Sequence, residues 1–580
     1  MLPVHGGAAI PGRAILPHRV AGPQSLAVFV AGAAVAGLGT AAQPGQLVQL
    51  AGRGACVSQL ATEGICAGAR ALNGPDALAV SPDGRNVYAA SSGVAPNVSG
   101  NAGSIAVFAR DRATGRITQP AGAAGCVGDL DDGCGEARAV QGTSAVAVSA
   151  NGRHVYATGF ASGSVATFDR SSGGVLTQLP GAAGCAGADP TEGCTAGSGL
   201  RGAADIAITR DGANLYVASA RSNAVAAFSR NASSGQLQQL AGEAACTVEQ
   251  EADEDVGDEG LGAPVENCRS GRGLIGASAV TASPDGKNVY VLARDAIAAF
   301  RRGPGGVLTQ LPGLQGCLAV DGRGGACTTV PQLSNGLDLS ISPDGLTLYV
   351  PAYYPGSIVL LRRDPFTGSL GRVTALASPD VEGVAGITIT PDGEGLYAVS
   401  PFRNAVLAFR RATDGRIIRL PGAAGCVSDV ENSDSCAHGQ VLSRASASAI
   451  SPDGRHLYVS AVEPIGFSCA CGRELGSLSV FTRSAATVSV SVAVPRAAAV
   501  PRSGKPFRIT ARVRTTAPAV KVTCAASAGG RAIRTTGTYA AGAAVCTGVV
   551  PKGAVGRLTG ALSVTAGGAT GRTSFSFSIR

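Results

Sequence analysis

Ser81 to Tyr88 reads SPDGRNVY, and the chain repeats this octad six more times: SANGRHVY ending at Tyr156, TRDGANLY at Tyr216, SPDGKNVY at Tyr290, SPDGLTLY at Tyr349, TPDGEGLY at Tyr397 and SPDGRHLY at Tyr458. Successive copies lie 48 to 74 residues apart, a period that belongs to repeat architectures. An alternating stretch such as Ala77 to Ser81 precedes each copy and reads as a strand. The Asp-Gly pair then tolerates the backbone angles of a tight reversal, and a second strand carries the Tyr. A third strand follows, ending in Phe108, Phe168, Phe228, Phe300, Phe409 or Phe481, with Leu361 or its neighbour in the fifth copy. A fourth, of the form LTQLPG, leads to a pair of cysteines.

Four antiparallel strands in seven copies predict an all-β chain built on a seven-bladed β-propeller. Gln46 to Gly52, QLVQLAG, is a fourth-strand sequence with no repeat ahead of it, and the seventh repeat ends after its third strand at Arg483. The N-terminal strand is therefore expected to complete the last blade and close the ring. An open solenoid, the main alternative, would leave both ends unpaired. Composition agrees, with 83 Gly and 31 Pro among 580 residues and an apolar fraction of 45 %, which is turn-rich and large enough in apolar content to exclude global disorder.

The net charge of +8 conceals three unlike parts. Thr487 to Arg580 holds 13 Lys and Arg and no carboxylate, residues 43–486 sum to −7, and the leader carries Arg13 and Arg19. The leader's apolar run, Leu26 to Leu38, followed by Gly39, Thr40, Ala41 and Ala42, reads as a signal peptide over 1–42. It is too short to span a bilayer, so no transmembrane segment is expected. The expected division is signal peptide 1–42, propeller 43–484 and a basic Ig-like β-sandwich over 485–580 of about seven short strands.

All sixteen cysteines fall into local couples: Cys56 and Cys66, Cys126 and Cys134, Cys185 and Cys194, Cys246 and Cys268, Cys317 and Cys327, Cys426 and Cys436, Cys469 and Cys471, Cys524 and Cys546. On an exported chain this pattern predicts disulfides. Zinc needs four ligands, and no couple has a second couple or suitably spaced His nearby. A Cys469–Cys471 bridge would close a strained ring.

Strand parity places the Cys loops and the long second-to-third loops on one face of the disc. That face gathers Phe160, Tyr353, Tyr354, Phe402 and Phe467, together with Arg221, Arg294 and Arg403, while Asp76, Asp205 and Asp338 stand where the innermost strands enter the channel. Arginines beside aromatics suit a carboxylate or phosphate on a small ligand. Carboxylates in the Cys loops (Asp129, Asp131 and Asp132; Asp189 and Glu192; Asp429, Glu431 and Asp434; Glu249 to Glu259) suit Ca²⁺, although none completes a calcium-loop pattern, so no cofactor is expected and calcium is the one candidate. Catalytic motifs are scarce. His5 and His18 lie in the leader, His154 and His456 are expected as exposed turn residues, and His438 stands alone. There is no nucleophile elbow and no phosphate-cradling loop.

The SPDGRxxY and LTQLPG repeats over about 47 to 483 resemble the seven-bladed propeller lactonases, which include 6-phosphogluconolactonases and 3-carboxymuconate cyclases, and more loosely the YVTN surface-layer propellers. The resemblance implies His residues shortly before the turn, near the channel mouth. Seven residues before the turn Asp, or Asn151 in the second copy, this chain has Asp76, Ser144, Ala204, Ser278, Leu337, Ala385 and Ser446. The reading this favours is a secreted, disulfide-stapled binding or interaction scaffold at the cell surface. The alternative is a lactonase or muconate-type cycloisomerase acting on a small anionic substrate. The basic module is expected to meet an anionic envelope polymer, with no specific nucleic-acid partner.

Overall fold

The computed structural model describes residues 43–580 apart from 60–63, 94–101, 130–132, 190–192, 251–266, 355, 431–434, 464–474, 485–489, 494, 498, 516–519, 541–542 and 567–568. The described chain is all-β: strands joined by turns and short 3₁₀ segments, with no α-helix among the described residues. No helix among them is long and apolar enough to cross a membrane.

Each octad lies at the turn between the first two strands of a sheet, and there are seven such sheets. In the second, Thr143–Val148, His154–Gly159 and Ser164–Arg170 run antiparallel, and the turn at Asn151 and Gly152 joins the first two. The expected fourth strand is broken. Leu176–Gln178 and Cys185–Gly187 each pair with Ser164–Arg170, separated by a 3₁₀ turn at Gly181–Gly184, and Thr195–Ala196 then adds a short parallel strand. A Cβ at Gly184 would stand 2.2 Å from the Leu179 carbonyl oxygen, so this break demands glycine. The fifth sheet, without cysteines, keeps one continuous fourth strand, Leu370–Ala377.

The seventh sheet is built from both ends of this region. Leu47–Gln49 pairs with Leu475–Arg483, Leu47 opposite Arg483 and Gln49 opposite Phe481, and Cys56–Ser58 continues along the same strand. The innermost strands neighbour one another in order, and the last, Ser448–Ile450, neighbours the first, Pro75–Val80. Ser446 Oγ donates to the Pro75 carbonyl across that junction (3.0 Å). Burial follows the same cycle. Seven apolar clusters each join two consecutive sheets, and one, with Val87 and Phe108 beside Tyr458 and Val480, joins the first to the seventh.

Each motif tyrosine is fully buried in the cluster between its own sheet and the next. Its hydroxyl donates to a backbone carbonyl of that next sheet, as Tyr156 does to Gly235 (2.7 Å) and Tyr290 to Gly368 (2.7 Å). An arginine ending the third strand of the next sheet completes the contact. Arg363 Nε donates to Tyr290 Oη (2.9 Å), and its Nη2 reaches Asp285 Oδ2 (2.8 Å). Arg110, Arg170, Arg302, Arg411 and Arg483 likewise meet Asp453, Asp83, Asp211, Asp344 and Asp392. At the remaining junction Arg230 meets Asn151 and His154 Nδ1. The octad is thus one half of an inter-sheet clasp.

This corrects the expectation for His154 and His456. Both are buried, because each opens a second strand and turns its ring toward the clasp arginine, Arg230 or Arg110. Burial and the neighbouring guanidinium hold both rings below the ordinary histidine value, which favours the uncharged imidazole.

Residues 490–578 form nine strands among the described residues, in two sheets. One contains Pro506–Thr515 and Ala543–Val549; the other contains Val520–Ala528, Arg557–Ala566 and Ala569–Ser578. They share a core of Phe507, Ile509, Leu558, Leu562 and Phe575, and Cys524–Cys546 joins them. Disulfides also close Cys56–Cys66, Cys126–Cys134, Cys185–Cys194, Cys246–Cys268, Cys317–Cys327 and Cys426–Cys436. Cys469 and Cys471 lie outside the described residues.

Candidate functional site

The beginnings of all seven innermost strands line one cavity of about 320 Å³. Asp76, Asp205 and Asp338 meet there with Ser144, Ser278 and Ser446, and small residues such as Ala204 and Gly386 keep it open. No Lys, Arg or His lines it among the described residues.

Asp205 and Asp338 are held alike. Asp205 accepts from its neighbour Ile206 N (2.8 Å) through Oδ1 and from Val280 N of the fourth sheet (2.8 Å) through Oδ2. Asp338 accepts from Leu339 N (2.7 Å) and from Ile387 N of the sixth sheet (2.9 Å). Each oxygen keeps a second lone pair for a ligand or water. Burial pushes the Asp205 carboxyl up to about 7 against the pull of its two N–H donors, and the Asp338 charge adds to the rise. Burial raises Asp338 as well. Asp76, at an irregularity in the pairing of its strand, is exposed.

The arginines expected at this rim stand elsewhere. The Arg221 guanidinium carbon lies 4.9 Å from the centre of the Phe160 ring, and Arg221 lines a separate cavity of about 310 Å³ with Arg201, Ser162 and Asp189. Arg403 is turned to the Pro379 carbonyl. Arg294 lines neither cavity. Tyr353 and Tyr354 pack edge to face with ring centres 4.6 Å apart, and the Tyr353 carbonyl and the Phe402 side chain both meet Gly383. One expected rim resolves into separate places, since equivalent positions in the repeat do not by themselves bring side chains to one site.

Of the expected calcium ligands, Asp131, Asp132, Glu192, Glu431, Asp434 and most of Glu249 to Glu259 lie outside the described residues, as does Phe467. Among the described residues no group of three or more His, Cys, Asp or Glu stands together as a metal site. The clasp arginines went unread in the sequence, though their signal was present. Phe-x-Arg or Leu-x-Arg closes all seven third strands, from Phe108 and Arg110 to Phe481 and Arg483.

Comparison with known proteins locates the same resemblance. Residues 128–249, about a fifth of the chain, match the profile of a family described as "Lactonase, 7-bladed beta-propeller". That stretch contains Asp205, Phe160 and Arg221. No curated protein matches the chain. Among solved structures, a putative 6-phosphogluconolactonase from Bacteroides uniformis is 21 % identical, with 59 % of this chain and 83 % of that one covered and a TM-score of 0.41. The periplasmic gluconolactonase of Pseudomonas aeruginosa is 16 % identical, with 59 % and 83 % covered and a TM-score of 0.42. The hydrazine synthase of Kuenenia stuttgartiensis is 16 % identical, with 68 % and 94 % covered and a TM-score of 0.40.

Proposed function

We propose that this chain is an exported lactonase-like hydrolase, with a seven-bladed β-propeller over 43–484 whose channel mouth is the active site. A signal peptide over 1–42 and a basic β-sandwich over 485–580 complete the reading. The cyclic order of seven sheets supports the propeller, and seven disulfides support export to an oxidising compartment. The observation that carries the activity is the Asp205 carboxyl, poised at about 7 in a cavity that all seven sheets line.

A carboxylate of that basicity suits general-base catalysis near neutral pH. In its ionised form Asp205 takes a proton from a water that attacks the lactone carbonyl. The acyl–oxygen bond breaks as the tetrahedral centre collapses, and the departing alkoxide takes the proton back, so one water is divided across the ester and the hydroxy acid leaves. Three carboxylates and no cation make the cavity unfavourable for an anion, so the substrate is an uncharged lactone rather than the anionic one expected from the arginines.

A panel of uncharged five- and six-membered lactones, followed by acid release at fixed ionic strength, tests this. The expected result is turnover that rises with pH through about 7, as Asp205 ionises, and falls about a hundredfold in Asp205→Asn. A folded protein that turns over none of the panel, or an Asp205→Asn variant as active as the parent, overturns it and returns the chain to a binding scaffold.

A further inference from the structure

The strand Pro506–Thr515 alternates strictly: Phe507, Ile509, Ala511 and Val513 are buried, while Arg508 and Arg512 are exposed. The strand Arg496–Ala497 pairs beside it with Arg496 opposite Thr510, so Arg496 shares the outer face and stands between the two arginines in register. Four residues of strand put Arg508 and Arg512 about 13 Å apart. The diagonal steps from Arg496 to each are about 7 Å. None of the three has a hydrogen-bond acceptor or ion-pair partner among the described residues, and no Asp or Glu occurs in residues 487–580. Like charges set this close repel, and residues 487–580 hold no acidic side chain to offset the repulsion. Such local conflict between sequence and fold marks a surface kept for binding.

We propose that this face is a docking track for a linear phosphodiester polymer of the cell envelope, one phosphate to each arginine. The proposal rests on the reading of this module as the exported chain's contact with anionic polymers. A phosphodiester linked through three carbons repeats every six bonds, about 7 Å at ordinary bond lengths, which matches the diagonal steps. Single-stranded nucleic acid has the same repeat, but Thr510, Thr536, Thr538 and Thr547 stand in register with the arginines, and the exposed ring of this sheet, Tyr539, lies opposite Ala544 in the alternate register. The same composition offers no apolar wedge for a lipid surface. The other sheet carries its cations differently: Arg557 Nε is held by Ser576 Oγ (2.7 Å), and Lys521 and Arg572 stand among serines and threonines.

The test titrates the full chain with linear poly(glycerol phosphate) across a salt series, in parallel with oligothymidylate and phosphatidylglycerol vesicles. The expected result is preference for poly(glycerol phosphate). In the triple variant Arg496→Ser, Arg508→Ser, Arg512→Ser the slope of log K against log salt falls by about 2, near 0.7 for each lost contact. Lys521→Ser with Arg557→Ser and Arg572→Ser changes it by less than half as much. Arg496→Lys, Arg508→Lys and Arg512→Lys together keep the charge and keep the slope, which separates lost contacts from misfolding. Equal loss in both serine triples overturns the track while leaving the module's general attraction standing. No binding by the parent chain overturns both readings, and tighter binding to vesicles or oligothymidylate overturns the proposed partner.

Discussion

Tyr290 illustrates how much the repeat asks of one side chain. Its ring fills the space between the fourth and fifth sheets, and its hydroxyl both donates to Gly368 and accepts from Arg363. Removing only the oxygen, as in Tyr290→Phe, leaves a buried guanidinium N–H and a carbonyl unpaired. The expected cost is about 1 to 3 kcal/mol, read from the urea midpoint at unchanged slope. Asp285 belongs to the same contact. Burial raises its carboxyl, but the Ser283 hydroxyl, Arg363 and the Lys287 N–H outweigh that and hold it below its ordinary value. Its share of the stability is therefore present above the unfolded carboxyl's range and disappears as pH falls through the folded value. The turn was legible in the octad because its chemistry is local. The clasp was not, because each arginine's partner lies in the preceding sheet, over seventy residues earlier in the Arg363 case, and a strand-end arginine looks like any solvated charge. For the same reason Asp205 was legible by position, while its basicity, set by burial in a cavity made by seven separate segments, was not.

At the scale of the element, the outer strand shows what the cysteines do. Where the fifth sheet lays Leu370–Ala377 along its neighbour without a break, the second sheet has two three-residue pieces and a bridge from Cys185 to Cys194. The crosslink restricts the unfolded chain where the ladder has been interrupted. Replacing both Cys185 and Cys194 by Ser is expected to cost about 3 kcal/mol by the loop-entropy estimate, measured as a shift in the denaturation midpoint. The pairing of neighbouring cysteines was plain in their spacing. The broken strand was not, because LTQLPGAAGC reads equally as a strand and a turn, and the tight approach of Gly184 to Leu179 appears only in three dimensions.

The whole molecule depends on a seam that the repeat count announced, since an unmatched fourth strand at Gln46 to Gly52 had one vacant place to go. A chain lacking residues 43–58 loses both pieces that cover Leu475–Arg483 and leaves that strand as an open edge. It is expected to associate through this edge and to unfold over a broader range of urea than the parent, seen by light scattering on a sizing column and by denaturation. The seam has a further consequence in time. Leu47–Gln49 leaves the ribosome more than four hundred residues before the strand that receives it. The strand made earliest among the seven sheets is thus the last that can be placed, and the seventh sheet stays incomplete until synthesis has passed Arg483.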